Sequence, residues 1–142
     1  MSELLHKETT AEHVLFERSI FSSRYIFTEM AYESGLITKI QFDLLHLFLN
    51  RFVTINDIVF DKIIYLQMSP HECFQRSLKR NREEENNITL NYLTKLDTLY
   101  NNWLVMNRYP SNAKDIHIVP IDINTTVDDI ANTISKIIGL KD

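Results

Sequence analysis

Short apolar runs of strand length alternate along this chain with longer stretches of helical periodicity, and that alternation limits the fold more than any other feature. HVLFE (13–17), KIIYLQM (62–68) and IHIVPID (116–122) are the runs. Between the first two, residues 20–33 place Ile20, Tyr25, Ile26, Phe27, Met30 and Ala31 near helical spacing, and Gly35 stops the pattern. From Thr38 to about Ile55, the side chains Ile40, Leu44, Leu47, Phe48, Phe52 and Ile55 trace one face, which predicts a second helix. Ser69-Pro70 offers an N-cap and a first-turn proline for a helix through Arg76. Leu90, Leu93, Leu96, Tyr100, Trp103 and Leu104 mark a long amphipathic helix ahead of Pro110, and Val127, Ile130, Ile134, Ile137 and Ile138 mark a last one. Strands separated by helices are joined by crossovers, so the expected fold class is α/β with a parallel sheet.

The length, 142 residues with 44% apolar and 24% charged content, suits a single domain over 1–142 with its own core. No repeat, low-complexity tract or Pro/Gly/Ser linker divides it. A net charge of -4 argues against a general nucleic-acid or acidic-membrane surface, which needs a basic face. Any phosphate chemistry must therefore be local. Cys73 stands alone, so no intrachain disulfide or zinc cluster can form, and a reducing compartment fits. No run approaches the roughly 20 apolar residues of a membrane span. MSELLHKETTAEH has three Glu and no apolar core, unlike a secretory or transit peptide, so a cytoplasmic protein is expected.

In parallel sheets, function gathers at the carboxyl ends of the strands. Three places qualify: Glu17-Arg18-Ser19, the segment RSLKRNREEE (76–85) that the second strand feeds, and the turn Asn124-Thr125-Thr126 after Asp122. Arg76, Lys79, Arg80 and Arg82 could close around a polyphosphate, because the planar guanidinium donates paired hydrogen bonds and stays charged when partly desolvated. The same run also reads as a solvated helix end followed by a new helix start. Glu17-Arg18 leaves a similar choice between a functional pair and an ion pair beside a Ser19 N-cap. The five histidines show no metal spacing and read as surface or packing residues, and Cys73 reads as helix packing.

Taken together, VLFERSIFSSRYIF (14–27), YESG (32–35), IIYLQMSPHECFQRSLKRNREEENNITLNYL (63–93) and LDTLYNNWL (96–104) resemble the C-terminal part of a deoxynucleoside kinase, the group of deoxycytidine, deoxyguanosine and mitochondrial thymidine kinases. The resemblance implies a three-layer sheet with helices on both faces, P-loop kinase-like and N-terminally truncated. It implies ATP-dependent 5'-phosphorylation of a deoxyribonucleoside, with ATP and Mg2+ as cofactors. By the same resemblance Glu17 lies near magnesium, Arg18 serves the 5'-hydroxyl region, and residues 76–87 form the LID, with Arg76, Arg80 and Arg82 on the phosphates. Glu85 would bind the sugar 3'-hydroxyl, Tyr92 would lie beside the sugar, Phe27 would stack on the base, and Asn124, Thr125, Thr126 and Val127 would border the donor adenine. Ser23 departs from the Asp of the deoxycytidine and deoxyguanosine enzymes and is closer to the thymidine-accepting branch.

One departure needs no family knowledge. A phosphate-cradling G-x-x-x-x-G-K-[ST] loop requires two glycines five positions apart, and this chain has only Gly35 and Gly139. In the resembling family that loop and the catalytic base would precede residue 1. Two classes of function follow. Either the chain serves a kinase whose phosphate cradle comes from elsewhere, or it is a catalytically dead nucleotide- or partner-binding remnant. Partners expected from the resemblance are nucleoside, ATP, and a second copy or a full-length kinase docking through residues 20–33. A third reading, an unrelated α/β domain with a solvated charged loop, is tested by whether Arg18, Arg80 and Glu85 converge on one cleft.

Overall fold

The computed structural model describes residues 12–85 and 87–140. Helix α1 (20–33) comprises Ile20–Ser22, a π-helical stretch Ser23–Phe27, and Thr28–Glu33. It starts on a capping box: Ser22 N–H donates to the Ser19 hydroxyl, and Ser19 N–H donates to the Ser22 hydroxyl. It stops where Gly35 takes φ 70 and Leu36 N–H returns to the Ala31 carbonyl at 2.9 Å, a left-handed C-cap that favours glycine. Helix α2 (Lys39–Ile55) begins with a Thr38/Gln41 capping box. Strand β1 (Phe60–Gln67) leads into α3 (Pro70–Arg80), where Ser69 accepts from Glu72 N–H as expected. A 3-10 turn, Glu83–Glu85, precedes α4 (Leu90–Tyr100), which continues as a π-helical stretch Asn101–Val105. Strand β2 (Ala113–Pro120) and α5 (Val127–Ile138) complete the described chain.

The two strands pair in parallel from Phe60↔Ala113 to Gln67↔Pro120, and helices flank them, which is the α/β class the alternation predicts. Beyond the Gln67↔Pro120 pair, Ile121 N–H donates to the Gln67 carbonyl at 2.9 Å and closes the ladder. Ile63, Tyr65 and Ile116 pack against a core of Phe21, Tyr25, Ile26, Ile58, Trp103 and Leu104. The aromatic members interlock: Phe21 meets Phe60 edge-on at 5.8 Å and Tyr25 lies 5.6 Å from Trp103.

Three expectations need correction. HVLFE (13–17) is not a strand, and Leu15 is 68% exposed. An apolar run becomes a strand only where a neighbour supplies hydrogen bonds, and among the described residues the sheet has two strands, neither of them this one. Glu17 and Arg18 are therefore exposed and escape the desolvation cost expected of a buried strand end. Helix α3 extends past Arg76 to Arg80, and β2 begins at Ala113 rather than Ile116.

Within residues 20–33, Phe21, Tyr25 and Ile26 belong to the core, Ile20 and Phe27 pack against it, and Tyr32 is exposed. Helix α2 is the one that faces water: Ile40, Leu44, Leu47, Phe48 and Ile55 are exposed. Its docked side carries Phe42, His46, Leu49 and Val53 at steps of four, three and four, with Phe52 beside them. Phe42 touches Tyr32 (ring centroids 4.7 Å), and His46 Nε2 sits 3.5 Å from the Glu29 carboxylate.

Candidate functional site

The residues singled out in the sequence fall into two groups. The first surrounds the start of α1. Arg18 adopts φ 65, a left-handed conformation unusual for a side chain of its size, and its guanidinium lies 4.9 Å from the centre of the Phe27 ring. Ser23 and Phe27 are the two ends of the π-helical stretch, whose Ser23 carbonyl accepts the Thr28 hydroxyl at 2.8 Å. Such a bulge re-aims side chains on a helix and often marks a functional position. Tyr100 also faces this group. Burial pushes its phenol above the ordinary range, while nearby Arg18 pulls it down. Tyr92 lies exposed in the first turn of α4, whose cap is the Thr89 hydroxyl.

The second group is built on α3. Lys79 and Arg80 close its last turn, where cations favour the helix dipole, and Asn81 reverses the chain in the left-handed region at φ 49. The reversal brings Glu85 back onto Arg80: Arg80 Nη2 is 2.6 Å from Glu85 Oε1, and Arg80 Nε and Nη2 donate to Oε2 at 3.2 and 2.7 Å. Phe74, Ser77, Leu78, Asn81, Arg82, Glu85 and Ile88 line a hollow of about 120 Å³, well below the several hundred Å³ that a nucleotide-sized ligand occupies. Arg18 belongs to the first group and does not line this hollow. The expected single cleft holding Arg18, Arg80 and Glu85 is not what this hollow forms.

Two polar ties join α3 to the turn after β2. Arg76 Nη2 donates to the Thr125 carbonyl at 3.0 Å, and Ile123 N–H donates to Glu72 Oε1 at 3.3 Å. Asp122 organises that turn, accepting from Asn124 N–H, Thr125 N–H and the Thr125 hydroxyl at 2.8, 2.8 and 2.9 Å. The Thr125 hydroxyl, then the Asn124 N–H, hold its carboxyl below the ordinary range. Thr126 caps α5, and Val127, its first residue, is open to solvent. Glu72 and Asp122 were not among the sequence candidates. The S-x-x-E spacing of Ser69 and Glu72 was a legible capping signal, but the reach of Glu72 to Ile123 depends on tertiary placement.

As for ligands, Arg76, Arg80 and Arg82 supply donors suited to phosphate oxygens. Among the described residues no group of three or more His, Cys, Asp or Glu side chains could hold a metal ion. A lone carboxylate such as Glu17 fits a magnesium ion that arrives with phosphates, since that ion commonly takes one or two carboxylates alongside them. Cys73 is half-buried, its thiol donating to the Met68 carbonyl and pushed up by burial, which fits the packing role. No helix among the described residues is long and apolar enough to cross a membrane.

Known proteins extend the picture. The family model described as deoxynucleoside kinase matches residues 1–139. Deoxycytidine kinase 2 of Gallus gallus is 38% identical over 133 residues, covering 87% of this chain and 48% of that protein. Mitochondrial thymidine kinase 2 of Homo sapiens is 36% identical over 108 residues, covering 76% and 41%. Mitochondrial deoxyguanosine kinase of Xenopus laevis is 33% identical over 125 residues, covering 85% and 47%. The chain thus spans less than half the length of these relatives. With nearly the whole sequence matched, and with the parallel α/β frame carrying the Arg-rich segment on α3, the chain belongs to the deoxynucleoside kinase family.

Proposed function

We propose that this chain provides the LID and sugar-side half of a deoxynucleoside kinase site, for transfer of the ATP γ-phosphoryl group to the 5'-hydroxyl of a deoxyribonucleoside. The observation that carries the reading is the assembly at α3: Arg76 tied to the turn at Thr125, and Arg80 and Arg82 beside Glu85. ATP with magnesium supplies the transferred phosphoryl and neutralises charge on its oxygens. Arg76, Arg80 and Arg82 bind and orient those oxygens, and their fixed charge stabilises negative charge as it spreads in the transition state. Glu17 offers a carboxylate to the incoming magnesium, and Arg18 orients the 5'-hydroxyl region. Glu85 accepts a hydrogen bond from the sugar 3'-hydroxyl, Tyr92 borders the sugar, and Ser23 and Phe27 meet the base. The turn Asn124–Val127 borders the donor adenine. The glycine-loop cradle is absent from these 142 residues, and by the family resemblance the base toward the 5'-hydroxyl also lies outside them, so phosphoryl transfer requires both to be supplied.

The test is a thermal-shift titration of the 142-residue chain with ATP-magnesium, thymidine and deoxycytidine, repeated on Arg80→Ala. Ligand at a hundred times its Kd stabilises by roughly 2.7 kcal/mol, a clear rise in Tm. A nucleotide-dependent rise that Arg80→Ala abolishes supports the reading, and no shift from a cooperatively melting chain sinks it.

A second reading has its own observation. The water-facing side of α2 carries a shallow groove lined by Ile37, Gln41, Leu44, Leu45 and Phe48, with Ile40 and Leu47 exposed nearby. Contiguous apolar surface of this kind suits docking of a second copy or of a full-length kinase. Sedimentation of wild type against Leu44→Glu tests the second copy: a dimer that Leu44→Glu dissociates supports it, and a monomer in both leaves only a full-length kinase as the partner.

A further inference from the structure

The two halves of the α3 site are occupied by each other. Glu85 has 16% of its side chain exposed against 51% for Arg80, and both of its carboxylate oxygens face that one guanidinium. The contact spans only the reversal at Asn81, so it forms within the segment and needs nothing else to move. Under the proposed function, on which this inference rests, Arg80 serves phosphate and Glu85 serves a sugar hydroxyl. We infer that the Arg80–Glu85 pair is a latch: Glu85 holds Arg80 away from phosphate until the carboxylate finds another partner.

The latch has a direction. Phosphate arriving alone must strip the guanidinium from Glu85 and leave a mostly covered carboxylate without its cation, which is costly. A sugar hydroxyl donating to Glu85 supplies the replacement partner and frees Arg80. Nucleoside and phosphate therefore favour each other's binding, and the coupling is reciprocal because it is a difference in free energy between two states. Arg80 remains half-exposed, so the effect is modest, in the range of partly exposed ion pairs.

Calorimetric titration with magnesium tripolyphosphate, which carries phosphates without base or sugar, tests this on the 142-residue chain. Glu85→Gln is expected to bind roughly two- to fivefold more tightly than wild type. Glu84→Gln removes the same charge from the same turn without touching Arg80, and is expected to gain less. Equal affinity in wild type and Glu85→Gln, or an equal gain in both variants, overturns the latch. Saturating thymidine or deoxycytidine should tighten tripolyphosphate binding to wild type and leave Glu85→Gln unchanged, and the same change in both, or none in either, overturns the coupling. If no form binds tripolyphosphate, with Arg80→Ala indistinguishable from wild type, it is the phosphate reading of the Arg cluster that fails, and the latch falls with it.

Discussion

Helices α1 and α2 look alike in the sequence and end up in opposite environments. Phe21 of α1 is 1% exposed, packed among Tyr25, Phe60 and the Trp103 cluster, while Phe48 of α2 is 64% exposed. Both segments carry apolar residues at helical spacing, and α2 carries them on two sides. The stripe Ile40, Leu44, Leu47, Phe48, Ile55 is the more regular one, yet it is the side left in water. Periodicity shows that a helix forms and that it has an apolar face. Only the partner decides which face is covered, and a helix apolar all round is ordinarily buried or waiting for a neighbour.

Substitutions can break or sharpen that contrast. Phe21→Ala should cost about 3–5 kcal/mol, because the transfer of a buried ring is lost and a cavity remains. Urea denaturation would show it as a lower midpoint at unchanged slope, and a cost near zero would mean that α1 is not the core helix. Thr38→Ala should cost about 1 kcal/mol, since α2 depends on its own capping box where burial contributes little. Hydrogen exchange would localise the loss to the amides of α2. Phe48→Glu should change the stability of the isolated chain by less than ~0.5 kcal/mol, as surface substitutions do. A loss comparable to that of Phe21→Ala would show that the α2 stripe is covered in solution.

The smallest effect concerns acid. Asp122 and Asp129 both sit below the ordinary carboxyl value of 3.8, each held mainly by a threonine hydroxyl, Thr125 and Thr126 respectively. A depressed carboxyl contributes stability that is present above its unfolded value and lost as pH falls through the folded one. Below about pH 4, the turn before α5 and the cap of α5 should loosen, whereas the Thr38/Gln41 cap of α2 has no carboxylate to protonate. Amide exchange in α5 that stays flat through that window would contradict the assignment.

How much of this was legible follows from the same division. Local chemistry was readable: the caps at Ser69 and Gly35, the five helices, and the two runs that became β1 and β2. HVLFE misled because a strand is a relation between segments, and apolar composition records only half of it. The left-handed residues Arg18 and Asn81 and the π-helical stretches carried no local signature of the glycine kind. At the site, the cluster of Arg and Glu was visible as charge, but the roles proposed for its members rest on the family resemblance. That Arg80 and Glu85 neutralise one another depends on the reversal at Asn81, which no spacing rule anticipated.

The parallel pairing of β1 with β2 also bears on how the chain reaches this structure. Every contact across the pair joins residues far apart in sequence; the Asp61–Lys114 bridge, for instance, spans 53 positions. Closing so long a loop is entropically slow, whereas a helical turn assembles in about a microsecond. The helices should therefore appear first and the sheet last, leaving KIIYLQ transiently unpaired as an apolar, β-prone segment. During that interval a crowded solution offers it the wrong partners, so yield on refolding should fall as protein concentration rises.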